Sequence, residues 1–146
     1  MAEGDGALYN SFKQQLPKGE HNFSGNAHNF RVALFTGAFT PNKDTQTMYS
    51  DLTEECVGAG YTAGGNLIAN VDVAIDLATD TALVDADNTT WNNLGQLDPQ
   101  PAWAVLYNDT HVNKALVAYW QVTTATNGGN WELQFSSSPS AIFTLS

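Results

Sequence analysis

Apolar and polar residues alternate between Leu67 and Leu77. Leu67, Ala69, Val71, Val73, Ile75 and Leu77 fall on every second position, and Asn70, Asp72 and Asp76 lie between them. A period of two marks a strand with one face buried. Trp131, Leu133 and Phe135 repeat the pattern over a shorter stretch. FRVALFTGAF is instead a dense apolar run bounded by Gly37 and Pro41, which predicts a buried strand. TALVDAD, AWAVLYND, KALVAYWQV, NWELQFSS and AIFTL read as further short strands. Turn residues separate them at Asn92-Asn93 and Gly95, at Asp98 to Pro101, at Asn108-Asp109 and at Asn127-Gly128-Gly129. Helical spacing is confined to GALYNSFKQQLPKG, where Leu8, Phe12 and Leu16 share one side before Pro17 and Gly19 stop the helix. The expected fold is all-β, an antiparallel β-sandwich or jelly-roll-like barrel with one short N-terminal helix over residues 6–16. Residues 1–20 read as an arm carrying that helix, and residues 21–146 as a single β-sandwich domain.

One long polar connection interrupts this regular spacing, TPNKDTQTMYSDLTEECVGAGYTAGG. Loops of such length are uncommon and are often contact elements. Its glycines Gly58 and Gly60 with Ala63 spell G-x-G-x-x-A, the fingerprint of a pyrophosphate cradle. That cradle needs a buried strand before it and a helix N-terminus after it. Here a polar stretch precedes and an alternating strand follows, so no nucleotide cofactor is expected. The glycines are expected to supply positive φ angles and tight turns.

Composition narrows the class. The chain has 146 residues, 42% of them hydrophobic, enough for one domain with a substantial core. Only 14% are charged, so Asn, Thr, Ser, Gln and Gly must cover much of the surface. Fifteen acidic residues against five basic ones give a formal charge of −10. Such a field repels phosphate backbones, and nucleic acid is not an expected partner. No run approaches the length of a membrane span, so no membrane partner is expected either. The N-terminal MAEGDGALYN lacks the basic and apolar regions of a secretion signal, which predicts synthesis in a cytoplasm without cleaved export.

Candidate chemistry is sparse. Asp85, Asp87 and Thr89 occupy the first positions of a calcium loop, but Thr90 and Gln96 stand where the turn glycine and the bidentate glutamate belong. Asp85 and Asp87 are expected to point outward from a strand while Val84 and Ala86 point inward. His21, His28 and His111 have no metal-ligand spacing, and His21 and His28 are expected in solvent. Cys56, the lone cysteine, reads as a small buried hydrophobe. No nucleophile elbow is present, and no pair of carboxylates is singled out for glycosidase chemistry. Trp103 and Trp131 lie in apolar strands, which assigns most of the aromatic residues to the core. No metal, no cofactor and no catalytic activity are expected.

LYNSFK, FRVALFTGAFTPN, MYSDL followed by GAGYTAGGNL, DADNTTW, AVLYND, LVAYW and the closing IFTLS span nearly the whole chain. In this order they resemble a family of small virion structural proteins of tailed bacteriophages. The resemblance implies a structural role in the particle, either as a head decoration or cement protein or as a tail component, and it assigns no ligand to the glycines. A capsid decoration protein would have the major capsid protein and copies of itself as partners, as a homotrimer on the capsid exterior. A tail or fibre component, or a carbohydrate-binding module, is the alternative. The segments expected at a capsid or self-interface lie outside the predicted β core: Tyr9, Phe12 and Leu16 of the arm, and Met48 and Tyr49 of the long loop. The competing expectation is that the arm's apolar residues simply cover one end of the sandwich.

Overall fold

The computed structural model describes residues 6–134, 136–137 and 140–145. The first five residues of the expected arm, and Phe135 of the expected alternation, lie outside them. The described chain is all-β, antiparallel and sandwich-like, with one short helix.

The apolar run FRVALFT forms a strand, Phe30–Thr36, at the heart of a five-stranded sheet. In chain order that sheet is built from β1 (Gly6–Leu8), β2 (Phe30–Thr36), β3 (Asn66–Leu67), β7 (Pro101–Asn108) and β8 (Leu116–Gln121), arranged β1-β8-β7-β2-β3. β2 and β7 pair from Phe30 opposite Asn108 to Phe35 opposite Trp103, with an irregularity before Thr36. Both strands are buried along most of their length, as a dense apolar run without alternation requires. A three-stranded sheet follows the order β12 (Phe143–Leu145), β5 (Thr81–Asp85), β4 (Asp72–Asp76). Two small ribbons complete the molecule, β6 (Thr89–Trp91) with β9 (Trp131–Leu133), and β10 (Ser136–Ser137) with β11 (Ser140–Ala141).

An aromatic cluster joins the layers. Phe23 stacks on Phe30 of β2 at 4.1 Å between ring centroids, and Phe143 of β12 meets Phe12 at 5.4 Å and Phe23 at 5.3 Å edge to face. Phe12 and Phe30 have no exposed surface. Each such ring contributes roughly 1.5–3 kcal/mol by leaving water.

The N-terminal segment differs from its expected form. Helix α1 spans only Asn10–Gln15, and Gly6–Leu8 is extended and pairs with β8, Gly6 opposite Trp120 and Leu8 opposite Ala118. A helix of three turns is marginal alone, and an available sheet edge outcompetes it for the first residues. The N-terminal segment is thus joined to the five-stranded sheet through Gly6–Leu8. Tyr9 and Phe12 lie fully in the core, so they cover one end of the sandwich.

A second correction concerns residues 67–77. Asn70 has a positive φ of 56°, which breaks the alternation into β3 and β4. Ile68 and Val71 turn inward, whereas Leu67, Val73, Ile75 and Leu77 are exposed. The period of two is present in β4, but among the described residues its apolar side chains Val73 and Ile75 remain largely in solvent.

The glycine loop is structural. Gly65 has φ +75°, and a Cβ there would meet the Val32 carbonyl oxygen at 1.8 Å. Gly60, φ +84°, lies close against the Asn93 carbonyl oxygen, 2.4 Å from where its Cβ would be. The chain continues into the two residues of β3, not into a helix.

Candidate interaction surface

Directly opposite residues of paired strands share a face, so the register of the three-stranded sheet defines two surfaces. Val73 lies opposite Val84, and Val84 opposite Phe143; Ile75 lies opposite Ala82, and Ala82 opposite Leu145. These rows form one apolar face. Its cover is graded. Phe143 and Val84 are buried under Phe12 and Phe23, but Val73 is 46%, Ile75 66% and Leu77 76% exposed. The β4–β5 hairpin thus leans out of the body, with its apolar side uncovered toward its turn. At the covered end lies a groove of about 240 Å³ between Leu16, Phe23, Val73, Val84, Phe143 and Leu145.

The reverse face of the hairpin is acidic. Asp72 stands opposite Asp85, Ala74 opposite Leu83, and Asp76 opposite Thr81. Asp85 and Asp87 point outward while Val84 and Ala86 are buried, as the alternation predicts. β4 is an edge strand of this sheet. Near its start the Asn26 N–H donates to the Val71 carbonyl and the Val71 N–H to Asn26 Oδ1, closing the edge there. At Val73 the N–H donates to Asp72 Oδ1 at 2.9 Å, which shows that this group points off the sheet. Among the described residues, the other large apolar side chains in solvent are Leu67 in β3 and Val57 and Val112, the last two each alone in a loop.

The interface residues expected from sequence scatter. Tyr9 and Phe12 are core, Leu16 lines the groove, and Met48 and Tyr49 are half-buried on the other side of the five-stranded sheet. Met48 forms an isolated bridge with Ala115, and Tyr49 donates to the Glu55 carboxylate. That carboxylate knits the long loop to the glycine loop. Its other oxygen accepts from Tyr61 Oη at 2.6 Å and from the Gly64 N–H at 2.7 Å, while Tyr61 Oη accepts from the Leu34 N–H at 2.9 Å. Burial first, and the neighbouring Glu55 next, hold the Tyr49 and Tyr61 hydroxyls far above the usual tyrosine range. Alongside is a polar recess of about 310 Å³ between Arg31, Tyr49, Tyr107 and Lys114. Its cations are engaged within the chain, because Arg31 Nε and the Lys114 ammonium both contact Asp109. Those bonds, Lys114 first, lower the Asp109 carboxyl below its ordinary value.

The histidines also depart from expectation. His21 is buried and His28 partly so, and Asn108 Nδ2 lies 3.0 Å from Nδ1 of each. His111 stacks on His21 at 5.7 Å and reaches Glu20 at 2.9 Å. Desolvation, then the adjacent His111, depress the His21 imidazole to about 4. His21 lies beneath the phenylalanine cluster, 5.0 Å from Phe12, and this is why a histidine in a polar stretch ends in the interior. Among the described residues no three His, Cys, Asp or Glu side chains are grouped to hold a metal ion, and no helix is long and apolar enough to cross a membrane.

The residues sequence reasoning missed are Val73, Ile75 and Leu77 as a surface. Their alternation was visible, but cover by another element leaves no local mark on a strand. Comparison of the chain with protein-family models, with characterised proteins and with solved structures gave no match.

Proposed function

We propose that this protein is a non-catalytic attachment module, a structural protein of a phage virion that decorates the capsid exterior. The observation that carries the attachment role is Val73 and Ile75 standing in solvent on an edge strand, with Leu77 exposed in the turn that follows. A well-packed domain leaves such a row uncovered at a cost in solubility, and contiguous exposed apolar surface marks interaction sites. The sequence resemblance supplies the particle. The charge of −10 suits an exterior position, since a capsid lining faces packed DNA. A trimeric ring at a three-fold lattice position would multiply a weak contact through effective concentration.

Copy number per particle is the test. A cement protein is present in numbers comparable to the capsid lattice and stays with heads when heads and tails are separated. A handful of copies, or segregation with tails, removes the cement reading in favour of a tail or fibre component. The polar recess beside Tyr49 and Tyr107 is the observation favouring a carbohydrate-binding module. Its Arg31, Lys114 and Tyr49 groups are already engaged within the chain, which ranks it second. Saturable binding on a glycan array, lost in Tyr49→Ala, would promote it.

A further inference from the structure

The β4–β5 hairpin specifies the chemistry of what covers it. Five acidic residues, Asp72, Asp76, Asp80, Asp85 and Asp87, fall within or beside it, and between Lys43 and Lys114 the chain has no lysine or arginine. Asp72 and Asp85 are direct cross-strand neighbours, so two carboxylates share this face. The other face of the same strand is apolar. Residues of an antiparallel strand alternate in which neighbour their backbone groups address. Since the Val73 N–H points off the sheet, the backbone of Ile75, two residues on, addresses the open edge as well.

We propose that β4 receives an extended segment of a partner protein in which apolar residues alternate with lysine or arginine. Added antiparallel at the edge, such a segment continues the ladder beside Val73 and Ile75. Its apolar side chains extend the row formed by Val73 and Ile75, and its cations fall on the face holding Asp72, Asp76 and Asp85. A second copy of this chain fits poorly: antiparallel pairing of β4 with itself about Ala74 sets Asp72 opposite Asp76 twice, with no cation in either hairpin. The proposal deepens the attachment reading and rests on it, but it does not depend on the particle being a virion.

The test uses the full chain and a short synthetic peptide alternating lysine with valine and isoleucine. Control peptides carry glutamate for lysine, or the same residues with the lysines gathered at one end. Calorimetry is expected to give saturable binding of the alternating peptide, about tenfold weaker when salt rises from ~50 to ~500 mM. Ile75→Lys should weaken it at least about tenfold, the scale of one lost apolar contact together with a like charge. The double variant Asp72→Asn, Asp76→Asn should remove most of the salt dependence. Because these side chains are largely solvent-facing, both variants should keep the parent's melting temperature, and bound peptide should slow amide exchange at residues 73–77. The proposal is overturned by absence of saturable binding, by equal binding of the glutamate peptide, or by binding that Ile75→Lys leaves intact. Sedimentation showing a dimer that Ile75→Lys abolishes would overturn it in favour of a second copy. Particle copy number fails or succeeds independently of every one of these outcomes.

Discussion

Gly65 concentrates the constraints of the glycine loop in a single residue. Its φ of +75° disfavours any side chain, and the Val32 carbonyl occupies the space a Cβ would need. Gly128 has a similar φ, +87°, but nothing within 4 Å of the would-be Cβ. Gly128→Ala is therefore expected to cost about 1 kcal/mol from backbone strain alone. Gly65→Ala must in addition push β3 off β2, and should cost more than about 3 kcal/mol or prevent folding. Urea titration of the two variants measures the difference; equal midpoints would show that the close approach is relieved without penalty. The glycine spacing was legible in the sequence, as was the extended segment that follows it in place of a helix. Which glycine touches backbone was not legible, because the Val32 carbonyl lies far away along the chain.

At the scale of elements, the strands carrying apolar runs or alternation were readable, down to the three-residue β9 and β12, whereas β1 and β6 were not. β2 and β7 carry apolar runs whose burial needs no partner to be named, whereas β1 and β6 are three residues each and exist through pairing with β8 and β9. The same reason explains the N-terminus, where apolar spacing at Leu8, Phe12 and Leu16 suits a helix but the sheet edge claims residues 6–8. It also explains β4, whose alternation was read correctly while its exposure depended on what the rest of the chain leaves uncovered. Since Phe12 anchors α1 between Phe23, His21 and Phe143, removing residues 1–20 is expected to unfold the domain instead of freeing a stable β core. Phe12→Ala alone should cost about 3–5 kcal/mol. A truncated chain that retained the parent's cooperative thermal transition would restore the separable arm.

The whole molecule draws its pH dependence from residues far apart in sequence. His21, His28 and His111 meet around Asn108, and His21 is depressed to about 4 from an ordinary 6.5. Between those values the unfolded chain binds the proton that the folded one refuses. Stability from this group is thus complete above about pH 6.5 and is lost as pH falls toward about 4. The full loss amounts to roughly 3 kcal/mol. Glu20, whose carboxyl is lowered chiefly by its hydrogen bond from His111, adds in the same direction. Melting temperature should therefore fall through this window, and His21→Gln should flatten the fall while lowering stability at neutral pH. A profile unchanged by His21→Gln would place the titrating group elsewhere.

Cys56 offers a clock. Its thiol is buried, held by desolvation at about 12, and its backbone N–H is bonded to the Leu34 carbonyl at 2.9 Å. Alkylating reagents attack thiolates, so modification has to wait for this stretch to come away from β2. Labelling rates on the native protein then time the breathing of one seam, where the loop of residues 40–56 is stitched to β2. Glu55, next in the chain, accepts from Tyr49, Tyr61 and the Gly64 N–H, so Glu55→Gln should quicken labelling more than it lowers the melting temperature. If labelling instead tracks global unfolding in both proteins, the seam opens only with the whole fold, and a bound partner would be felt at Cys56 as a slower clock.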